Sequence, residues 1–339
     1  MRAVRFHGPG ARLALDEIDV PRPGAGQVLV KIGGAGVCHT DVHIRSGEFP
    51  IPPGAELPLT LGHENAGWVE EVGAGVEGLA AGAAVAIWGG LGCGQCRICK
   101  TEHEQCCDIA LWDAGGGYAD YTVVQQARQL LPLGDLDPVE IAPLADAGLT
   151  PYRAITKCLP FLYPGASVAV IGVGGLGHMA LQIVRALAPA VDIIAIDVAD
   201  EQLALATELG ATHAVDARGN AAEEVLRLTG GEGAQAVLDF VGTDPTAATA
   251  GAIAARRGII VMVGIGGGTL PFSFLGVRAE VTVTNSWWGS QNDFADVIEL
   301  ARRELIRPTV HRIGLDGVND AMDALERGVV HGRFVAVPG

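Results

Sequence analysis

Four cysteines in one short stretch carry the strongest chemical signal in the sequence. They are spaced C-x2-C-x2-C-x7-C, at Cys93, Cys96, Cys99 and Cys107. Four thiolates this close together can bind one tetrahedral Zn²⁺, and a zinc with four protein ligands has no open position for a substrate. The spacing therefore predicts a structural zinc lobe, which we place at residues 92–107.

A second group of metal-binding side chains precedes the lobe. The segments Cys38-His39-Thr40-Asp41-Val42-His43 and Gly62-His63-Glu64 supply a thiolate, imidazoles and carboxylates. A catalytic zinc takes three protein ligands and keeps its fourth position for water or a substrate oxygen. Cys38 and His63 are the natural ligands. Singly, each has a structural interpretation, since free cysteine is often a core residue, but their occurrence beside the lobe favours the metal.

A glycine-rich turn follows the apolar segment Val168–Ile171. Its sequence is Gly172-Val173-Gly174-Gly175-Leu176-Gly177, and it opens a helical pattern. Such glycines let backbone N–H groups approach a pyrophosphate at a helix N-terminus. Asp197 ends the next predicted strand, where a carboxylate can accept hydrogen bonds from ribose hydroxyls. Because no arginine follows it within residues 198–201 to meet a 2′-phosphate, the pattern favours NAD over NADP.

The composition limits the class of protein. A chain of 339 residues exceeds one ordinary core and predicts two domains. A net charge of −16 and 5% aromatic residues argue against a nucleic-acid or anionic-lipid partner. The apolar stretches fall short of the ~20 residues that cross a bilayer. Seven cysteines without a disulfide-framework spacing favour a reducing, cytoplasmic setting, and Met1–Gly8 reads as a strand rather than a leader.

The character of the chain changes near Pro151. Up to about residue 147 it is rich in glycine, proline and short alternating segments such as Val28–Ile32, which predicts a β-rich region. Afterwards strands alternate with helices, beginning with a strand at Ser167–Gly172 and a helix at Leu176–Leu187. Such alternation predicts a parallel sheet with helices on both faces. We expect the strand-like Arg333–Val337 to rejoin the first region.

These landmarks together resemble the zinc-dependent medium-chain alcohol dehydrogenases over essentially the whole chain. The closest branch is that of the bacterial NAD-dependent secondary-alcohol dehydrogenases and carbonyl reductases, in which an aspartate such as Asp146 replaces a cysteine ligand. The resemblance implies two zinc ions per chain, a structural one in the lobe and a catalytic one held by Cys38, His63 and Asp146. It implies Glu64 as a neighbouring or alternate ligand. It also implies that Asp41 orients His63, because metal-bound histidines commonly donate their other N–H to a carboxylate.

The same resemblance implies an α/β fold of two parts. A GroES-like, β-rich catalytic domain is expected at residues 1–148, with its C-terminal part at 289–339. A Rossmann coenzyme domain with a doubly wound parallel sheet is expected at 149–288. The residues expected to contact NAD are His39, Thr150, Gly172, Gly174, Gly175, Leu176, Gly177, Asp197, Phe240, Val241, Gly242, Gly264, Ile265 and Arg333.

The implied reaction is reversible hydride transfer between NAD(H) and a secondary alcohol or ketone, with aldehydes also possible substrates. Thr40 and His43 are implied as a proton relay to solvent, although His43 can also be read as an ordinary loop histidine. Four tryptophans are candidates for the substrate pocket and suggest apolar or aryl substrates, core or interface packing being the alternative: Trp88, Trp112, Trp287 and Trp288.

Two rival functions and the assembly state complete the expectations. A polyol or sugar dehydrogenase of the same superfamily would favour a polar pocket, which the tryptophans argue against. A non-catalytic NAD-binding sensor would carry the structural zinc alone. The apolar Val281–Thr284 is expected to end the sheet and pair across a two-fold axis, which predicts a homodimer or homotetramer.

Overall fold

The structure is a computed structural model that describes residues 1–51, 56–108, 111–112 and 116–339, with the backbone alone described at 111–112. Its internal contacts divide the chain into two compact units. Unit 1 consists of Met1–Ala147, Gly289–Arg302 and Pro308–Gly339, and unit 2 of Gly148–Trp288 and Arg303–Arg307.

The strands of the described residues are numbered in chain order. They are β1 (Arg2–Phe6), β2 (Ala14–Glu17), β3 (Val28–Gly36), β4 (Leu59–Thr60), β5 (Glu64–Val72), β6 (Ala84–Ile87), β7 (Gly90–Leu91), β8 (Leu111–Trp112), β9 (Tyr121–Val124), β10 (Leu130–Pro132), β11 (Ser167–Ile171), β12 (Asp192–Asp197), β13 (His213–Asp216), β14 (Ala234–Asp239), β15 (Ala254–Met262), β16 (Thr282–Asn285), β17 (Val310–Ile313) and β18 (Arg333–Ala336).

The helices follow the same numbering. They are α1 (His39–Ser46), α2 (Arg97–Lys100), α3 (Pro138–Ile141), α4 (Leu149–Cys158), α5 (Gly177–Leu187), α6 (Asp200–Glu208), α7 (Ala221–Leu228), α8 (Asp244–Ile253), α9 (Gln291–Arg302) and α10 (Val318–Glu326). Short 3-10 turns lie at Glu104–Cys106, Ala127–Gln129, Ala142–Ala145, Leu159–Phe161 and Leu315–Gly317. None of the helices in the described ranges has the length and apolar character needed to cross a membrane.

Unit 1 is built on a predominantly antiparallel sheet in the order β10-β6-β5-β3-β18-β17, with β9 also paired to β3. A smaller sheet has the order β2-β1-β4. The core side chains are short and β-branched, as in Val30, Ile32, Val69 and Ile87, which are at most 2% exposed. Such residues favour strands because they pack well on a pleated surface. The GroES-like β-rich region is therefore confirmed.

The C-terminal strand joins this sheet beside the candidate metal ligands. Val335 in β18 pairs with Gly36 in β3, antiparallel. Gly36 lies two residues before Cys38, so the last strand of the chain runs alongside the segment that supplies the thiolate. This pairing brings Arg333 to the site described below.

Unit 2 contains a six-stranded parallel sheet in the order β13-β12-β11-β14-β15-β16. Its central strands are apolar without alternation, and Val168, Ile194 and Val237 are at most 1% exposed. Parallel sheets require this pattern because crossover helices cover both faces. The order is that of the doubly wound dinucleotide fold, with β11 at the point where the winding reverses. The predicted coenzyme fold is confirmed.

Candidate active site

The four cysteines of the lobe converge in unit 1. The Sγ of Cys96 lies 3.5 Å from that of Cys99 and 3.9 Å from that of Cys107, and the Sγ atoms of Cys93 and Cys99 are 3.8 Å apart. A tetrahedral zinc with bonds of about 2.3 Å needs sulfurs about 3.8 Å apart. The cluster fits that ion, and all four groups are thiol donors of the kind that zinc prefers.

Backbone amides prepare the lobe for thiolates. The N–H groups of Gln95 and Cys96 donate to the Sγ of Cys93 at 3.4 and 3.3 Å. These hydrogen bonds lower the pKa of Cys93 to about 6, because they stabilise the charged form. Glu104 anchors the segment, accepting from the Gly92 N–H at 3.2 Å and pairing with both terminal nitrogens of Arg128. These contacts of Glu104 with Gly92 and Arg128 were not predicted from the sequence.

A second group of metal-binding side chains meets elsewhere in unit 1. One donor atom each from Cys38, His63, Glu64 and Asp146 lies within 4.8 Å of the others. Oδ2 of Asp146 is 3.4 Å from the Sγ of Cys38 and 3.7 Å from Nε2 of His63. A soft thiolate, an imidazole and a carboxylate form a donor set that zinc accepts in catalytic sites. The residues present therefore fit a zinc ion.

Local structure places each of these ligands at an element boundary. Cys38 caps the N-terminus of α1 with extended dihedrals. His63 precedes β5 and follows Gly62, whose φ of +96° is costly for residues other than glycine. Asp146 ends the 3-10 turn Ala142–Ala145. Loops anchored by rigid elements are the usual carriers of functional side chains.

Glu64 is fully buried and paired with Arg333. The Arg333 Nε lies 3.0 Å from both carboxylate oxygens of Glu64, Nη2 also donates to Glu64, and Nη2 lies 3.3 Å from Oδ2 of Asp146. Burial raises the pKa of Glu64, and the guanidinium opposes that shift. A Cβ on Gly36 would lie 1.8 Å from Oε2 of Glu64, so this position must be glycine. Gly36 was not predicted from the sequence as a site residue.

Asp41 contacts His63, one of the predicted ligands. Its Oδ1 lies 3.5 Å from Nδ1 of His63, on the side of the ring opposite to the nitrogen that faces Asp146. Burial alone lowers the pKa of His63, but Asp41, Asp146 and Cys38 outweigh it and raise the pKa well above its usual value. The neighbouring acidic groups therefore favour positive charge at this position.

The predicted proton relay lies along α1. The Thr40 hydroxyl is 3.6 Å from the Sγ of Cys38. His43, one helical turn later, is 2.7 Å from Glu48 through Nδ1, and its ring centroid is 5.3 Å from that of the exposed His39. Residues three apart share a helix face, so Thr40 and His43 lie on the same side of α1.

The glycine-rich turn in unit 2 has the geometry of a dinucleotide site. Gly172 has a φ of +85°, and a Cβ on Gly177 would lie 1.9 Å from the Gly172 carbonyl oxygen. A Cβ on Gly174 would meet no atom within 4 Å, so the surface there is open for a ligand. Oδ2 of Asp197 accepts from the Val173 N–H at 2.7 Å, which places its carboxylate against the turn. These residues fit NAD.

The predicted cofactor residues Phe240, Val241 and Gly242 directly follow β14, and Gly264 and Ile265 follow β15. Gly242 has a φ of +72°, and a Cβ there would lie 2.1 Å from the Gly264 carbonyl oxygen. Val241 and Ile265 are exposed, Phe240 is half-buried, and Thr150 is buried on α4. The buried Asp239 was not predicted from the sequence. Its Oδ1 accepts hydrogen bonds from the N–H groups of Val241 and Gly242, both at 2.9 Å.

A basic residue that was not predicted from the sequence follows β13, the strand beside β12. Asp197 pairs with Asp216 in the register of β12 and β13, and Arg218 follows two residues later. Arg218 donates to both carboxylate oxygens of Asp216 and to Asp200. Its charge is thus already paired at the carboxyl edge of the sheet. Noting that β13 lies beside β12 would have revealed it.

The tryptophans differ in their surroundings. Trp88 is 1% exposed and its Nε1–H donates to the Gly289 carbonyl at 3.1 Å. Trp287 is 42% exposed, and Trp288 has a φ of +43°. The side chain of Trp112 lies outside the described residues. Their part in a substrate pocket stays a prediction.

Comparison with known proteins identifies the family. Residues 24–135 match the model for the alcohol dehydrogenase GroES-like domain, and residues 175–303 match that for the zinc-binding dehydrogenases. An NAD-dependent alcohol dehydrogenase of Sulfolobus acidocaldarius is 39% identical, with 99% of each chain covered. A D-arabinose 1-dehydrogenase (NADP(+)) of Saccharolobus solfataricus is 36% identical, over 96% of this chain and 94% of that protein. The crystal structure of the alcohol dehydrogenase from Aeropyrum pernix superposes with a TM-score of 0.93 at 39% identity, covering both chains fully. The chain belongs to the zinc-dependent medium-chain alcohol dehydrogenase family.

Proposed function

We propose that this protein is an NAD-dependent zinc alcohol dehydrogenase that interconverts secondary alcohols and ketones. The observation that carries the proposal is the convergence of donor atoms from Cys38, His63 and Asp146, together with Glu64, within 4.8 Å. An NAD-binding sensor with structural zinc alone has no use for this second set. The glycine-rich turn and Asp197 supply the dinucleotide site in unit 2.

In this proposal Cys38, His63 and Asp146 hold the catalytic zinc. A zinc ion with an open position supplies a Lewis acid that stabilises negative charge on a substrate oxygen. Asp41 holds the His63 ring through Nδ1, so that Nε2 faces the metal position. Arg333 keeps Glu64 at the edge of the donor set, which makes Glu64 a neighbouring group or alternate ligand.

Thr40 and His43 are the proposed proton carriers. The Thr40 hydroxyl lies beside the Cys38 sulfur, at a position suited to take the proton of a substrate hydroxyl. His43 lies on the same helix face, and its contact with Glu48 leads toward solvent. Both roles are supported by this placement on α1.

The NAD contacts are proposed along the carboxyl edge of the unit 2 sheet. The turn from Gly172 to Gly177 takes the pyrophosphate, and Asp197 takes the adenosine ribose hydroxyls. The other residues proposed to contact NAD are Thr150, Phe240, Val241, Gly242, Gly264, Ile265, His39 and Arg333. The Arg333 guanidinium already donates hydrogen bonds to Glu64, so a pyrophosphate contact would use its remaining N–H groups.

Two substrate classes are candidates for this protein. The tryptophan-rich candidate pocket favours apolar secondary alcohols and their ketones, including aryl ones. The 36% identity to a D-arabinose 1-dehydrogenase makes sugar oxidation the second candidate. A panel that pairs aryl and alkyl secondary alcohols with aldoses, each assayed with NAD and with NADP, separates them.

The proposed setting is the cytoplasm, and the proposed assembly is a homodimer or homotetramer. None of the seven cysteines, all within the described residues, forms a disulfide, which suits a reducing compartment. Strand β16 ends the sheet, and Phe274 and Leu275 are 97% and 90% exposed in the segment before it. An edge strand with apolar neighbours is suited to pairing with a second copy. Light scattering of the native protein and of Val283→Lys tests this. We expect the variant to have a smaller molar mass in solution than the native assembly.

Metal analysis and turnover together test the catalytic proposal. The native protein is expected to hold about two zinc ions per chain and to form NADH from a secondary alcohol. A single zinc ion per chain, with NAD binding but no turnover on any alcohol or sugar, would establish the sensor instead.

A further inference from the structure

Tyr118 is a fully buried residue that is not among the proposed catalytic, metal or cofactor residues. It is 0% exposed, and its backbone is bound to the segment that leads to His63. The Tyr118 N–H donates to the Leu61 carbonyl at 3.0 Å, and the Gly117 N–H donates to the Gly62 carbonyl at 2.9 Å. Tyr118 is therefore attached to the chain immediately before a proposed zinc ligand.

The ring of Tyr118 fits closely against that same segment. A Cβ on Gly62 would lie 2.8 Å from Cδ1 of the ring, closer than real side chains approach. Gly62 also has a φ of +96°. Ring and glycine thus fix each other, and the hydroxyl has little freedom to move.

The hydroxyl points at Asp41. It lies 2.7 Å from Oδ2 of Asp41 and 3.1 Å from the Gly36 carbonyl. A hydroxyl has one proton, and the shorter bond to the charged acceptor is the stronger one. Burial and the nearby Asp41 charge raise the pKa of Tyr118 well above its ordinary value, so the group is a neutral donor.

The two oxygens of Asp41 therefore have different partners. Oδ2 accepts from Tyr118 and also from the Cys38 N–H at 3.0 Å. Oδ1 faces Nδ1 of His63 at 3.5 Å, and it accepts no hydrogen bond from any other described residue. Two donors to one oxygen restrict rotation of the carboxylate, and the other oxygen faces the imidazole.

We propose that Tyr118 is a positioning residue for the catalytic zinc site, acting on His63 through Asp41. This inference rests on the proposed function, because it takes His63 as a zinc ligand. The Tyr118 hydroxyl fixes the Asp41 carboxylate, the carboxylate fixes the Nδ1–H tautomer and the ring, and Nε2 is left for the metal. Outer partners of this kind typically change metal affinity by about 10- to 100-fold.

The first test compares Tyr118→Phe with Tyr121→Phe. Both variants lose one phenolic oxygen from the same segment, but Tyr121 is outside the network around Asp41. Zinc release to a chromophoric chelator is followed in the native chain and both variants, with the lobe zinc as internal reference. We expect one of the two zinc ions to leave about tenfold faster in Tyr118→Phe, with native rates in Tyr121→Phe. Equal rates in all three proteins would overturn the inference.

A double-mutant cycle shows whether the effect passes through Asp41. In Asp41→Asn the carboxylate is already lost, so adding Tyr118→Phe should change zinc release little further. Fully additive effects would refute transmission through Asp41. In Co²⁺-substituted protein, the visible bands of the catalytic site should shift in Tyr118→Phe and not in Tyr121→Phe.

Two controls separate failure of this inference from other failures. If native protein binds only one zinc ion, in the lobe, the proposed function is wrong, and the inference that depends on it is wrong as well. If it binds two and Tyr118→Phe releases both at native rates, the inference alone fails. If Tyr118→Phe does not fold, 3-fluorotyrosine at position 118 supplies a more acidic donor of nearly the same size, and zinc release should then slow. Unchanged or faster release with fluorotyrosine would overturn the inference.

Discussion

The Sγ of Cys38 and Oδ2 of Asp146 lie 3.4 Å apart, although 108 positions separate them in the chain. Cys38 follows the long strand β3, and Asp146 ends a 3-10 turn that packs against β3 and β5. The donor set is thus assembled by the fold of unit 1 alone. Each proposed ligand lies where an element begins or ends, so the elements of unit 1 determine the geometry.

Removing the third proposed ligand should abolish turnover. In Asp146→Ala the zinc content should fall from about two to about one per chain, because two ligands hold the ion weakly. Loss of several kcal/mol of Lewis-acid stabilisation corresponds to a fall in kcat/KM of roughly a hundredfold or more. Atomic emission spectrometry measures the zinc content, and the rate of NADH formation gives kcat/KM. Asp135→Ala, on an exposed loop, should match the native protein, and native zinc content in Asp146→Ala would refute the ligand assignment.

Replacing Asp197 should weaken NAD binding. A hydrogen bond to a charged acceptor contributes about 1.5–3 kcal/mol, so Asp197→Ala is expected to raise the KM for NAD roughly tenfold to a hundredfold with kcat little changed. Initial rates at varied NAD give both constants. Asp192→Ala removes an exposed carboxylate at the other end of the same strand and should leave the KM as it is. An unchanged KM in Asp197→Ala would move the ribose site elsewhere.

Breaking the buried ion pair should destabilise the protein strongly. Arg333 and Glu64 are 3% and 0% exposed, and Arg333→Met leaves a buried carboxylate without its cation. The expected loss is about 3–5 kcal/mol in the free energy of unfolding, read from denaturant titration. The double variant Glu64→Gln, Arg333→Met should recover part of it. Arg312→Met breaks the more exposed pair with Glu140 and should lower the free energy of unfolding much less. An equal loss in Arg333→Met and Arg312→Met would contradict this account.

The pair between α1 and α10 should make stability depend on pH in the acid range. Hydrogen bonding and charge from Arg45, aided by Arg12, hold the pKa of Asp323 below its usual value, against the effect of burial. A depressed pKa adds stability that is present above about pH 4, near the unfolded value, and is lost as pH falls through the folded pKa.

Asp323→Asn should therefore cost roughly 1 kcal/mol or less at pH 7, and the difference from native protein should shrink as pH falls below about 4. Thermal or urea unfolding at several pH values measures it. Asp320→Asn, whose carboxylate is 83% exposed, should cost less at pH 7. If the difference in free energy of unfolding between native protein and Asp323→Asn grew toward acid pH, the pKa of Asp323 would not be depressed in the folded protein.

The local motifs were readable from the sequence because their geometry is local. Cys93, Cys96 and Cys99 lie a few residues apart, and any compact turn brings their sulfurs together. The glycines from Gly172 to Gly177 similarly need one strand, one turn and one helix. The alternation of apolar strands and helices predicted the parallel sheet for the same reason, since the period of a pattern reports its element. The family resemblance, rather than spacing, singled out Asp146.

The long-range pairs were decided by the tertiary structure. Strand register places Arg333 on Glu64 and Arg218 two residues beyond the partner of Asp197, and no periodicity in one segment encodes the register of another. Tyr118 is the clearest example. By itself the sequence determined which chemical groups were available and the elements that carry them. Only the folded sheet decided which oxygen of Asp41 faces His63, because that choice depends on a hydroxyl supplied from 77 positions away.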